Sequence, residues 1–201
     1  MKPVTPSSNT TPSVSSVPGS SLPVTDRPVT VPAVVLGGYA LVATIACLVT
    51  VTETILFYPN VFHDIPDSLA RTEEFMSVVG VGDVLRPMGA VLTLVALIAA
   101  AVAARYRIAR AWTAASLVPL LSGQFLLSVA YQWPRVEILF DDRDRYTVEQ
   151  LRQAADEFLI GQGLRVGAAV LTALFAVVAA LVCYRAHVLR ADRLRVEAAL
   201  S

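Results

Sequence analysis

Ala33-Val-Val-Leu-Gly-Gly-Tyr-Ala-Leu-Val-Ala-Thr-Ile-Ala-Cys-Leu-Val-Thr-Val-Thr-Glu-Thr-Ile-Leu-Phe57 carries one charge, Glu53, in a stretch that is otherwise apolar or small. A helix needs about 20 such residues to cross a hydrocarbon layer of about 30 Å. Three further runs repeat the pattern: Val84 to Ala104, with Arg86 its one charge before Ala104; Trp112 to Trp133, with none; and Phe158 to Tyr184, with Arg165. A backbone in lipid must satisfy its own polar groups, so these runs are read as helices. The expected fold is all-α, a polytopic membrane four-helix bundle with spans at about 33–57, 84–104, 112–133 and 158–184.

Composition agrees: 55% of the residues are hydrophobic and 16% charged, and the mean hydropathy is +0.62, too apolar for a water-soluble domain of this length. Sixteen Lys and Arg balance sixteen Asp and Glu, and a nucleic-acid partner normally demands a basic surplus. The bilayer is the partner this composition implies, with a homo-oligomer or a second membrane protein compatible with it. Cys47 lies mid-way along the first run and Cys183 at the far end of the fourth. That is too far apart in depth for a disulfide. No Cys or His spacing of a zinc or haem site occurs and no phosphate-binding glycine loop follows a strand, so the sequence calls for no cofactor and no metal.

Residues 1–30 are rich in Pro, Ser, Thr and Val. Such a segment buries too little surface to offset its ordering entropy and is expected to be a disordered tail, with the first span an uncleaved anchor. Arg105, Arg107 and Arg110 crowd the short turn after the second span, and Arg185, Arg190, Arg193 and Arg195 follow the fourth. By the positive-inside rule both ends face the cytoplasm, residues 31–187 form the transmembrane domain and 188–201 a basic cytoplasmic tail. Each outer loop is expected to hold a short surface helix. The first runs from Pro66 with Leu69, Met76 and Val79 on one face until Gly80. The second is opened by the Thr147/Gln150 capping pair and joins the fourth span through Gly161 and Gly163.

Charge inside hydrocarbon is costly and marks the residues to watch. Glu53, Arg86 and Arg165 share the outer depth, so Glu53 is expected to pair with Arg86 or Arg165. Such a cluster is either a helix-orienting ion pair or a site where Arg holds an acidic or phenolic oxygen while Glu moves a proton. Ser116, Gln124, Ser128 and Gln132 recur at multiples of four along the third span and face the bundle, as interhelical hydrogen-bonding groups or as one wall of a polar cavity. Pro119 in the same span frees a carbonyl. His63 among the acids of the first outer loop is read as a solvated surface residue.

The order of these features resembles a known family. Glu53-Thr-Ile-Leu-Phe-Tyr-Pro-Asn60 closing the first span, Gly82-Asp-Val-Leu-Arg-Pro-Met-Gly89 opening the second, an Arg-rich turn, and an outer helix leading into Gly163-Leu-Arg165 look like the four-helix membrane family that includes anthrone-oxygenase-like proteins. The resemblance implies a compact bundle and, in some members, cofactor-independent oxidation of a polyphenolic aromatic by oxygen. It makes Arg86 and Arg165 binders of a phenolate or carbonyl oxygen. Read from the residues themselves, Glu53 is the third catalytic candidate, and Gln124, Ser128, Gln132 and Gln162 are polar cavity or helix contacts around them. The chain departs from the family pattern at Val136, Gln162 and Leu164.

Two functions therefore stand side by side. One is an integral membrane scaffold or interaction bundle, in which these side chains satisfy one another with no room left over. The other is a membrane oxidoreductase acting on an apolar aromatic, which requires a pocket containing Glu53, Arg86, Gln124 and Arg165.

Overall fold

In the computed structural model, which describes residues 30–200, four long helices account for most of the chain, and each is long and apolar enough to cross a membrane. They are α1 (Thr30–Val61), α3 (Val81–Tyr106), α4 (Arg110–Asp141) and α5 (Val148–Leu200). A nine-residue helix, α2 (Asp67–Phe75), stands between α1 and α3. No strand occurs among the described residues. The tail expected over the first thirty residues lies outside the described residues, apart from Thr30, which opens α1.

Small residues set the packing. Ala40, Ala43 and Ala46 of α1, Ala96, Ala99 and Ala103 of α3, and Ala173 and Ala176 of α5 meet around Leu36, Tyr39, Leu92 and Leu120 in one core. Alanine side chains let helix backbones approach closely, so dispersion and short interhelical hydrogen bonds replace bulky interdigitation. α1 packs chiefly against α3 and α5, and α4 chiefly against α5 and α3. The fully buried Tyr39 donates to Ser116 Oγ across the bundle at 3.0 Å. Facing outward are leucines such as Leu41, Leu94, Leu164 and Leu181, each about 60% exposed.

α3 is buried only from Leu92 onward. Its first turns make little contact with the end of α4, so the two helices splay apart toward the Gly80 end. There a second core forms around Tyr58, Val61, Ile65, Leu69, Leu139, Leu151 and Phe158. It seats α2 through the fully buried Leu69. α2 ends at Phe75, short of the expected stop at Gly80, and Val79 is exposed rather than on a buried stripe.

The second expected surface helix is not a separate element. Thr147 and Gln150 do cap: Thr147 N–H donates to Gln150 Oε1 at 2.9 Å and Gln150 N–H to Thr147 Oγ1 at 3.3 Å. From there α5 runs unbroken for 53 residues. Glycine costs a helix interior about 1 kcal/mol, too little for Gly161 and Gly163 to break so long a hydrogen-bonded run. The expected tail at 188–201 continues the same helix as far as Leu200.

α1 and α4 also contain wide turns in which N–H bonds the carbonyl five residues back, at Glu53–Phe57, Leu120–Leu126, Ser128–Gln132 and Glu137–Asp141. Three of them adjoin Pro59, Pro119 and Pro134. Proline removes one donor and pushes on the carbonyl four residues earlier; for Pro59 and Pro134 that carbonyl, of Ile55 and Ala130, lies inside a wide turn that accommodates both, whereas Pro119 immediately precedes its wide turn.

Candidate functional site

The splay between α3 and α4 leaves a cavity of about 710 Å³, walled by all four long helices and by α2. At about 1.5 Å per residue it runs about 15 Å along α3, from Gly82 at the mouth to Leu92 at the floor. Arg86, Gln124, Ser128, Gln132 and Arg165 all line it, among aromatic side chains that include Tyr58, Phe62, Trp133 and Phe158. Phe125 and Trp133 of α4 line it too, yet are 56% and 46% exposed. The cavity therefore opens sideways between α3 and α4 as well as toward the Gly80 end.

The polar ridge of α4 serves two purposes at once. Gln124 Nε2 donates to Thr172 Oγ1 of α5 at 3.2 Å, Gln132 Nε2 donates to the Phe158 carbonyl at 3.3 Å, and Ser128 Oγ donates to the Gln124 carbonyl. Four-residue spacing drifts by about 40° per step on an α-helix. In the wide turns each residue turns through a smaller angle, which pulls Gln124, Ser128 and Gln132 back into line on the cavity wall.

Arg165 is held from behind. Its Nη1 donates to Gln162 Oε1 at 2.9 Å, and Gln162, fully buried, donates through Nε2 to Thr54 Oγ1 of α1 at 3.0 Å. The Nε of Arg165 is buried with no hydrogen-bond partner. Arg86 folds back over Gly82, where a Cβ would stand 3.4 Å from its Nε, and places its guanidinium 5.4 Å from the centre of the Trp133 ring. That is a cation–π distance. Neither guanidinium is in an ion pair among the described residues.

Glu53 is the exception in the expected cluster. It makes no ion pair with Arg86 or Arg165 and does not line the cavity. It sits half-buried with Ile45, Leu48, Val49, Thr52 and Leu56 in a separate shallow groove along the side of α1. Its charge is within electrostatic reach of Arg165 and Tyr58 without contact. Spacing along the chain sets a residue's depth but not which way it faces, and here the two part company.

The carboxylates that do line the cavity, Glu73, Asp83 and Asp141, stand at its mouth. Glu73 Oε2 lies 2.9 Å from Arg143 Nη1, an ion pair without hydrogen-bond angles, which ties α2 to the turn after α4. Asp83 accepts the Gly80 N–H at 3.0 Å and caps α3. No group of three or more His, Cys, Asp or Glu suited to a metal occurs among the described residues.

With known protein families, curated proteins and solved structures, the chain has no match. Its function is therefore argued from this cavity alone. Tyr58, which lines the cavity, and Thr54 and Thr172, which hold Gln162 and Gln124, were not among the site candidates singled out in the sequence. The one signal for Thr54 and Thr172 was a hydroxyl at the depth of each interior Gln.

Proposed function

We propose that this chain is a multi-pass protein of the cell membrane, both ends cytoplasmic, that binds a small amphipathic molecule in the cavity between α3 and α4. The molecule has an apolar, preferably aromatic, body and an anionic or carbonyl oxygen. The bilayer placement rests on the four apolar helices and their outward leucines, which water would not tolerate over so large a surface. Arginine at the turn between α3 and α4 supports the orientation.

The single observation that carries the binding role is the space between Arg86, Gln124 and Arg165. A scaffold would let these side chains satisfy one another. Instead two guanidiniums without acid partners border an aromatic-lined void, the arrangement that receives an oxyanion on an apolar body.

Oxidation of an apolar aromatic by oxygen, the activity implied by the resemblance described above, would use the same cavity. Binding is the better-supported role because Glu53, the proton-transfer candidate, does not line the cavity and the remaining carboxylates lie at its mouth. The test is calorimetric titration of 2-naphthoate into the protein in lipid nanodiscs, with empty nanodiscs as the blank. Saturable binding, weakened about tenfold or more in Arg165→Gln, is expected, since a hydrogen bond to a charged group contributes about 1.5–3 kcal/mol. Heat no larger than that of empty nanodiscs would overturn the proposal. Oxygen uptake with a tricyclic anthrone, measured on the same sample, decides whether turnover follows binding.

A further inference from the structure

We infer that the ligand of this cavity presents an O–H or N–H donor as well as an anionic oxygen, and that Gln132 is the residue that selects for the donor. The inference rests on the binding role proposed above and adds a specificity determinant to it.

Gln132 is 2% exposed and lines the cavity. Its amide cannot be turned round freely. Nε2 donates to the Phe158 carbonyl, which can only accept, so Oε1 is fixed as the atom on the other side. That Oε1 is buried and has no hydrogen-bond partner. A buried acceptor left without a donor is unfavourable, and a ligand donor seated against it removes the penalty. A ligand of the same shape without the donor leaves the penalty in place, which is how a site of this kind discriminates.

The neighbourhood fixes where the donor must be. Gln132 Nε2 lies 2.9 Å from where a Gly161 Cβ would stand, so the amide rests directly on the α5 backbone, and only glycine gives it room. Gly161 is about one helical turn, about 6 Å along the axis, from Arg165. A long helical side chain leans toward the preceding turn, and Arg165 does so, bonding Gln162. Gln132 and Arg165 therefore border one stretch of the cavity; Nε and Oε1 are themselves covered, and a ligand donor meets Oε1 by a small tilt of the amide edge toward the cavity. The matching ligand carries its acid or carbonyl oxygen against Arg165 and a hydroxyl or amine that is nearby but not adjacent, on a body that slips in between α3 and α4 from the bilayer.

Three probes of nearly equal size test this by calorimetry on the intact protein in nanodiscs: 2-naphthoate, 4-hydroxy-2-naphthoate and 4-methoxy-2-naphthoate. The hydroxyl is meta to the carboxylate and cannot bond to it internally. Wild type should bind the hydroxylated probe about tenfold more tightly than the other two, the effect of one satisfied hydrogen bond. In Gln132→Met the ratio of hydroxylated to plain probe affinity should fall below about twofold whatever the change in overall affinity, whereas a purely structural role would weaken all three probes alike and keep the ratio. Equal binding of the hydroxylated and plain probes by wild type overturns the inference and leaves the binding role standing. So does a methoxy probe as tight as the hydroxylated one. A preference that survives in Gln132→Met removes Gln132 as its origin. Failure of all three to bind wild type overturns the binding role and this inference together. The wild-type comparison needs no variant to fold.

Discussion

Gly123→Ala tests the close approach on which the cavity wall depends. A Cβ at Gly123 would overlap the Cβ of Ala168 on α5 and come within 3.7 Å of its Cα. Ala168 has no rotatable side chain to swing aside and is 8% exposed, so relief requires α4 and α5 to move apart. Overpacking of this kind costs about 1–3 kcal/mol. Separation also lengthens the Gln124–Thr172 hydrogen bond, now 3.2 Å, a loss of about 0.6 kcal/mol for an interhelical bond in a membrane protein. Against this, alanine is the better helix former by about 0.5–1 kcal/mol. The net expectation is a loss of about 0.6–3 kcal/mol. Unfolding titrations with a denaturing detergent in mixed micelles, followed by circular dichroism, measure it. The companion variant Ala168→Gly removes the atom in the way, so the double variant should be more stable than the sum of the single effects by about 1–2 kcal/mol. A Gly123→Ala protein within about 0.5 kcal/mol of wild type, or strictly additive singles, would refute the contact.

Glu53→Gln should change stability by less than about 1 kcal/mol, because no ion pair is broken; a loss of about 3–5 kcal/mol in the same titration would mean a buried pair after all. Ala109 holds φ at 53° where it precedes α4, so Ala109→Gly should stabilise the protein by up to about 1 kcal/mol, and destabilisation would contradict the left-handed turn. In a cysteine-free background, single cysteines at the exposed positions Glu74 and Thr147 should react with an impermeant thiol reagent on intact cells while one at Arg107 does not. Reversed labelling would invert the orientation.

The four helices were legible because an uninterrupted run of some 20 apolar residues has few alternatives in any solvent. Their lengths were not. α1 continues through Tyr58-Pro59-Asn60-Val61 and α4 through Arg135 to Asp141, where polarity rises and Pro59 and Pro134 disfavour helix, yet wide turns carry the helix past them. The Thr147/Gln150 cap was legible since two side chains three apart are enough to define it. The junction expected at Gly161 and Gly163 is unbroken helix, and Gly161 is instead a point of close approach, where Tyr131 and Gln132 of α4 rest on α5. Arg86, Gln124, Ser128, Gln132 and Arg165 were all singled out from the sequence, and all five line one cavity. A polar group in an apolar run advertises itself whatever the packing. The partners did not. Whether Arg165 meets Glu53 or Gln162 depends on helix rotation, which the wide turns beside Pro59, Pro119 and Pro134 reset by amounts that spacing cannot express.

A ligand seen in the space between α3 and α4 would establish it as a binding site. Crystals of the protein in a lipid phase, grown with 6-bromo-2-naphthoate, locate the bromine by anomalous scattering. The account predicts one dominant peak within the cavity bordered by Phe125, Trp133 and Leu92, with the carboxylate toward Arg86 and Arg165. A peak on the outward face of α1 around Leu48 and Leu56, with the cavity free of bromine, would contradict it.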